Sequence, residues 1–166
     1  TFFLNGGIHS WLAEQRPIES TVNSGVASDY QVVEINEDVS INKSQLLNAI
    51  EQSSIQIWDA RSYLEYTGEK MVSQRGGHLP GAKSYEFSKA LDGENHLKLR
   101  NLDEIKSELQ ALGINGEKMI ISHCQTHRRS GLTYVLAKAL GWPMQAYAGS
   151  WAEWGNDPNT PIETGE

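Results

Sequence analysis

Short apolar runs alternate with helical patterns along most of this chain, and that alternation constrains the fold more than any other feature. The runs SIQIWDAR, MIIS and MQAYAG are β-rich, and the first contains Asp59 at its polar end. Three segments have apolar residues at helical spacing, namely SINKSQLLNAIEQ, NLDEIKSELQALGI, which Gly113 would close, and SGLTYVLAKALG, which ends at Gly141. A turn-rich loop, GGHLPGAKS, follows the first run. Strands that alternate with helices predict an α/β domain with a mainly parallel sheet.

The composition limits the classes of protein to which the chain can belong. Its 166 residues suffice for one domain with a core, and no apolar run approaches the roughly 18 residues of a membrane span. The chain has 21 acidic and 14 basic residues, and this negative balance argues against general nucleic-acid binding. The single cysteine excludes an internal disulfide and suits a reducing compartment. We therefore expect a cytoplasmic protein that binds neither nucleic acid nor membranes.

The two ends of the chain are similar to each other. FFLNGGIHSWLAEQRPIES near the start and AYAGSWAEWGNDPNTPIET near the end both run from apolar residues through Gly and Trp to Pro-Ile-Glu, with Trp11 at the position of Trp154. Such similarity indicates tandem copies of one domain, although short Gly- and Trp-rich segments can also match by chance. We expect residues 1–19 to be the tail of an upstream copy, residues 20–42 a linker and residues 43–166 a complete domain.

The segment HCQTHRRSG holds the only cysteine of the chain, Cys124, directly after an apolar run. Ligand sites in open parallel sheets lie at the carboxyl ends of strands. A helix predicted to start near Ser130 would offer free backbone N–H groups and the positive end of its dipole, and Arg128 and Arg129 add positive charge. Such settings lower a cysteine pKa from about 8.5 to between roughly 3.5 and 7.5. We therefore expect a reactive thiolate rather than a buried structural thiol, which is the commonest fate of a lone cysteine.

The histidines of this segment have more than one interpretation. His127 could contact the thiolate, donate to a bound anion or be a solvated loop residue. A metal site is not expected, because His123 and His127 straddle a loop and the chain has no second cysteine.

Several motifs together resemble the rhodanese family. These are HCQTHRRSG after an apolar strand, WDAR well before it, GGHLPGA, and the closing AYAGSWAEW, which occur in the family's order over most of residues 43–163. A similar Cys-Gln-Thr-His loop occurs in some bacterial tandem-domain rhodaneses, whose catalytic cysteine belongs to the C-terminal copy. The resemblance implies a three-layer α/β domain, with a mainly parallel sheet flanked by helices, and makes residues 43–166 the catalytic rhodanese domain.

The resemblance also implies an activity. Cys124 would attack the outer sulfur of a small anionic donor such as thiosulfate, form a persulfide, and pass that sulfur to cyanide or another thiophilic acceptor, an acceptor protein included. Neither a cofactor nor a metal is implied. The loop would bind the donor through its backbone N–H groups, with Arg129 closing the loop and anchoring the donor and Ser130 capping the helix. The implied substrate-binding residues are Gln125, Thr126, His127, Arg128, Arg129 and Ser130.

Other polar residues near the strand ends are interpreted as scaffold. We expect Asp59 to accept loop N–H groups and Arg61 to pair with Glu65 across a turn. His78 occurs in a loop that is structural in the family. The tryptophans near the end of the chain are expected to pack in the core rather than to line the site, namely Trp151 and Trp154.

Three rival functions and the choice of donor stay open. Phosphatases that share this fold have five residues between Cys and Arg, whereas four separate Cys124 from Arg129 here, and the shorter loop would crowd a phosphate. A rhodanese-like binding module is the second rival, and a persulfide-delivery protein is the third. Gln125 and Thr126 match neither the basic residues of mitochondrial-type thiosulfate enzymes nor the small residues of mercaptopyruvate enzymes, and Glu65 stands near where many tandem enzymes have a substrate-binding arginine. We favour thiosulfate because the loop is cationic and the donor is doubly charged.

Overall fold

The computed structural model describes residues 2–34 and 36–165, so Thr1, Ile35 and Glu166, which belong to the predicted tail, linker and complete domain, lie outside the described residues. The helices are α1 (Gly7–Ala13), α2 (Lys43–Glu51), α3 (Tyr63–Thr67), α4 (Leu102–Ala111), α5 (Arg128–Ala139) and α6 (Ser150–Trp154). The strands are β1 (Ile55–Asp59), β2 (Lys83–Ser84), β3 (Leu91–Asp92), β4 (Lys98–Leu99), β5 (Met119–His123) and β6 (Met144–Ala146). Short 3₁₀ helices span Glu37–Val39 and Phe87–Ala90. In this described part of the chain, no helix has the length and apolar character that crossing a membrane requires.

Four strands form a parallel sheet in the order β2-β1-β5-β6. The register places Asp59 opposite His123 and Ser122 opposite Ala146. Ser40, at the end of the predicted linker, also bridges to Ala146 in parallel. The carboxyl ends of β1, β5 and β6 therefore lie at one edge of the sheet, as the alternation of strands and helices predicts.

The sequence pattern does not reveal the three shortest strands. β2 has only two residues and lies within the turn-rich GGHLPGAKS loop. β3 and β4, also of two residues each, pair as an antiparallel hairpin outside the main sheet. Such short segments cannot display the alternation of apolar and polar residues by which a strand is recognised.

Helices cover both faces of the sheet. Side chains of β1 and β5 alternate between two buried clusters, because successive residues of a strand point to opposite faces. One cluster contains strand and helix residues from α2, α3 and α6, including Leu46, Ile57, Tyr66, Ile121, Trp151 and Trp154. The other contains strand and helix residues from α4 and α5, including Trp58, Ile105, Leu109, Ile120, Leu136 and Ala137. The domain is therefore α/β with three layers, and the core positions expected for the two tryptophans are confirmed.

Reciprocal capping boxes begin two of the helices beside the sheet. Asn42 and Gln45 form a reciprocal capping box at the start of α2, and Ser62 and Glu65 form another at the start of α3. Gly113 lies just beyond the end of α4 with a left-handed φ of 84°. This conformation suits glycine and confirms its predicted position at a helix end.

The two similar ends of the chain form the same hydrogen bond. Trp11 in α1 donates its indole N–H to the carbonyl of Pro17 at 2.8 Å, and Trp154 in α6 donates to the carbonyl of Pro161 at 2.8 Å. Residues 20–34, which separate α1 from the domain, are exposed and lie in no helix or strand.

Candidate active site

Cys124 directly follows β5 at the carboxyl edge of the sheet and exposes 1% of its surface. α5 begins at Arg128, earlier than the start near Ser130 that the sequence pattern indicates. His127, with a left-handed φ of 61°, is the last residue before the helix. The turn between β5 and α5 is therefore short, and the first turn of α5 lies beside the thiol.

The start of α6 fixes the orientation of this turn. The N–H of Trp151 donates to the carbonyl of Cys124 at 3.0 Å, and the N–H of Ala152 donates to the carbonyl of Gln125 at 2.9 Å. Because the C=O and N–H of one trans peptide group point in opposite directions, the second bond directs the N–H of Thr126 away from α6. The sequence gives no local signal for this contact, since α6 is distant from Cys124 along the chain.

The turn and the first residues of α5 surround the Cys124 sulfur with hydrogen-bond donors. The hydroxyl of Ser130 and the backbone N–H groups of Ser130, Thr126 and Arg129 bond to it. Burial by itself raises the pKa of this thiol, but these hydrogen bonds outweigh burial and hold the pKa of Cys124 below its ordinary value. N–H groups in the first turn of a helix have no partner inside the helix, so they are available to an anion. The thiol is buried, yet its polar neighbours favour the thiolate.

Arg129 lies beside the sulfur, but a carboxylate balances its charge. Its guanidinium donates to both oxygens of Glu65, at 2.7 and 2.8 Å, and also hydrogen-bonds to the Cys124 sulfur. The Arg129 guanidinium lowers the pKa of Glu65 to about 2 although burial opposes the shift. The prediction that Glu65 pairs with Arg61 is therefore wrong, because the carboxylate on α3 reaches across to α5 instead.

Three more of the predicted substrate-binding residues differ in their contacts and exposure. The side-chain amide of Gln125 donates to the Val72 carbonyl at 3.3 Å and to the Ser73 hydroxyl at 3.1 Å, so it ties the turn to an earlier loop. Thr126 and Arg128 are exposed. Within residues 2–34 and 36–165, Arg128 forms no ion pair, in contrast to the neighbouring arginine.

His127 and Ser130 are joined by a hydrogen bond. Nδ1 of His127 lies 2.8 Å from the hydroxyl oxygen of Ser130, which is fully buried. The predicted capping role of Ser130 is wrong, because His127 occupies the N-cap position of α5 and the Ser130 hydroxyl contacts the sulfur instead. Burial lowers the pKa of His127. The ring also lines a cavity of about 350 Å³, whose other lining residues are Val39, Ser40, Tyr134, Ala146 and Ala148.

A buried ion pair supports the turn through Trp151. Nη2 of Arg61 lies 2.6 Å from Oδ2 of Asp59, and neither side chain is exposed. The Arg61 guanidinium also donates to the Gly77 carbonyl and lies 4.3 Å from the centroid of the Trp151 ring. Asp59 accepts the backbone N–H of Arg61 as well. Both residues therefore serve as scaffold, as predicted, because Trp151 in turn holds the carbonyl of Cys124.

Two further histidines near the site are buried scaffold residues. Nδ1 of His123 lies 3.3 Å from the Cys124 carbonyl oxygen and Nε2 lies 3.5 Å from Asp59. Burial lowers the pKa of His123 to about 4. His78 stacks on Tyr66 with ring centroids 3.7 Å apart, in agreement with a structural loop. Among the residues that the structure describes, no three or more His, Cys, Asp or Glu side chains lie together so that they could hold a metal ion.

Comparison with known sequences identifies relatives of this chain. The Rhodanese-like domain model matches residues 42–157. The chain is 44% identical over 162 residues to a thiosulfate sulfurtransferase of Azotobacter vinelandii, and 32% identical over 176 residues to the sulfur carrier protein TtuD of Thermus thermophilus. These alignments cover 97% and 98% of this chain but 59% and 61% of the relatives, so the chain spans less than two thirds of the length of either protein.

Solved structures give the same fold. The EanB variant with a cysteine persulfide in a tetrahedral intermediate state with ergothioneine is similar to this chain with a TM-score of 0.88 at 25% identity. That match covers 98% of this chain and 41% of the EanB chain. The family match covers the sheet, its helices and the turn around Cys124, and the chain is therefore a member of the Rhodanese-like domain family.

Proposed function

We propose that this chain is a sulfurtransferase that moves a sulfane sulfur from thiosulfate to a thiophilic acceptor through a persulfide on Cys124. The observation that carries the proposal is the ring of donors around the Cys124 sulfur, which lowers the pKa of the thiol despite its burial. The relatives support it, since several are thiosulfate sulfurtransferases.

In the first half-reaction the Cys124 thiolate attacks the outer sulfur of thiosulfate. A bond forms between the two sulfur atoms, and the bond between the outer sulfur and the sulfonate group breaks. Sulfite leaves with that electron pair, and the protein keeps an anionic persulfide. Thiolate, donor, persulfide and sulfite are all anions, so backbone N–H groups fixed around one small volume stabilise every stage without rearrangement.

In the second half-reaction an acceptor such as cyanide attacks the outer sulfur of the persulfide. The sulfur–sulfur bond breaks, thiocyanate leaves, and the thiolate of Cys124 is restored. Separate half-reactions of this kind predict ping-pong kinetics. In this scheme the N–H groups of Thr126, Arg129 and Ser130 bind the sulfur, the Arg129 guanidinium orients the donor, and exposed Arg128 attracts it.

We further propose that residues 1–19 are the tail of an upstream copy of this domain, that residues 20–42 link the copies, and that residues 43–166 form the catalytic domain. The matching indole-to-carbonyl hydrogen bonds of Trp11 and Trp154 support the repeat. A reducing compartment such as the cytoplasm would keep the single thiol free for sulfur transfer.

A second candidate is persulfide delivery to an acceptor protein. It is favoured by the relative from Thermus thermophilus, which is a sulfur carrier protein. Both candidates share the first half-reaction and differ in the acceptor. Sulfur transfer to a protein thiol that is much faster than thiocyanate formation would favour delivery over the cyanide reaction.

Mass spectrometry of the intact protein tests the persulfide. Incubation with thiosulfate is expected to add the mass of one sulfur atom, and subsequent cyanide is expected to remove it. Cys124→Ser should gain nothing, whereas Glu104→Gln, a change in an exposed ion pair on α4, should behave like the unaltered chain. A wild-type chain that gains no sulfur would contradict the proposal. Initial rates with thiosulfate and with 3-mercaptopyruvate then identify the donor class, and faster turnover of 3-mercaptopyruvate would overturn the choice of thiosulfate.

A further inference from the structure

The Ser130 hydroxyl lies between two groups that compete for its proton. On one side it bonds to the Cys124 sulfur, and on the other its oxygen lies 2.8 Å from Nδ1 of His127. Ser130 is fully buried, so these neighbours decide the direction of its O–H bond. A hydroxyl has a single proton to donate.

The proton count links the state of His127 to the charge on Cys124. A thiolate can only accept, so it receives a hydrogen bond only when the Ser130 hydroxyl points toward it. The hydroxyl oxygen must then accept from His127, which requires a proton on Nδ1. With Nδ1 unprotonated, the Ser130 proton would turn toward the imidazole and the thiolate would lose its hydroxyl donor.

We propose that His127 is a positioning residue that acts through Ser130: its Nδ1–H donates to the Ser130 hydroxyl and thereby directs the hydroxyl proton onto the Cys124 sulfur. His127 precedes Ser130 by three residues and has a left-handed backbone conformation where α5 begins, and its ring reaches the Ser130 hydroxyl. The contact of His127 is with the Ser130 hydroxyl, so its contribution is the orientation of a donor. The same orientation serves the persulfide, which is also an anion.

The surroundings of His127 favour a neutral ring, and the relay requires the single proton of that ring to be on Nδ1. Burial lowers the pKa of the imidazole, and neutral imidazole carries one proton. Of the described residues that line the cavity beside it, Tyr134 is the only other one with an ionisable side chain. The charged groups of its own segment are Arg128 and Arg129, and Glu65 compensates the second of them. Nε2 is then the acceptor left facing away from Ser130.

The ionisation of Cys124 can be measured without any sulfur donor, so the test is independent of the proposed function on which the inference rests. The pH dependence of alkylation by iodoacetamide gives the midpoint of thiolate formation. His127→Gly removes the ring without straining a left-handed backbone, and the midpoint should rise by about one pH unit, as expected for a lost hydrogen bond to a charged group. His127→Asn keeps an N–H donor at similar reach and tolerates the same backbone, so its midpoint should stay near that of the wild type.

A double-mutant cycle separates this relay from a general effect of the ring. Ser130→Ala should raise the midpoint by itself, and adding His127→Gly should then produce no further shift. An unchanged midpoint in His127→Gly, or an equal shift with and without Ser130, would overturn the proposal. Nitrogen NMR of the unaltered chain gives a reading that needs no variant: a proton on Nδ1 is expected, and a neutral ring protonated at Nε2 would overturn the relay.

Discussion

Arg129 and Glu65 form a two-pronged ion pair beside the Cys124 sulfur, with guanidinium-to-carboxylate distances of 2.7 and 2.8 Å. The carboxylate is almost fully buried, whereas the arginine is partly exposed. Of the two arginines that make the turn cationic, one is therefore compensated by a carboxylate. In the proposed reaction, Arg128 would therefore attract the dianionic donor over distance, while Arg129 would act mainly through its geometry.

Glu65→Gln should improve the binding of thiosulfate. Glutamine keeps an acceptor for Arg129 and can still complete the helix cap with Ser62, but it removes the negative charge. Unit charges a few ångströms apart near a protein surface interact by a few kcal/mol before screening, so the KM for thiosulfate should fall by roughly threefold to tenfold. Initial-rate kinetics at low salt measure the change.

The decrease in the KM for thiosulfate caused by Glu65→Gln should become smaller as ionic strength rises, because salt screens the attraction between charges. Glu104→Gln is the matched control, since it also removes one carboxylate from an arginine pair, on the exposed face of α4 away from the turn. An unchanged or higher KM at low salt in Glu65→Gln would show that the carboxylate does not offset the cationic turn.

Asp59→Asn should destabilise the domain strongly. The change leaves the fully buried guanidinium of Arg61 without its counter-charge, and breaking a buried pair in this way typically costs about 3–5 kcal/mol. Glu104→Gln breaks the exposed pair with Arg100 and should cost less than about 1 kcal/mol. Urea unfolding of the two variants measures the difference. Equal losses in the two variants would mean that burial of the Asp59–Arg61 pair contributes nothing.

His123 should make the domain less stable in mild acid. Its pKa is about 4 in the folded chain against 6.5 for an unperturbed imidazole, with burial as the main cause. Between these values the unfolded chain binds a proton that the folded chain excludes. The contribution of His123 is therefore fully present above pH 6.5 and is lost as the pH falls toward 4, with a loss of about 2 kcal/mol by pH 5.

His123→Gln isolates this effect, because glutamine does not titrate. Urea unfolding at pH 7 and pH 5 should show a smaller loss of stability for the variant than for the unaltered chain. Glu65 does not interfere in this range, since its pKa is lowered and its contribution is lost only as the pH falls from about 4.5 toward 2. Equal losses for the two chains would contradict the assignment of the acid sensitivity to His123.

The pattern of residues predicted the α/β class, three of the sheet strands, the main helices and the position of Cys124 between a strand and a helix. These features are local, because hydrophobic periodicity, helix-ending glycines and turn residues act over a few neighbouring positions. Strands of two residues such as Lys83–Ser84 were not predicted, because they are too short to show an alternation of apolar and polar residues.

The contacts between groups at the site depend on how the chain packs in three dimensions. The pairing of Arg129 with Glu65, the N–H groups of Trp151 and Ala152 on the carbonyls of the turn, and the early start of α5 after His127 were not visible in the pattern of residues. Each joins segments far apart in the chain or depends on how one backbone is held against another. A carboxylate, a guanidinium or a hydroxyl can form hydrogen bonds or ion pairs with several kinds of group. The packing of the three layers decides which of these groups lies close enough to bond.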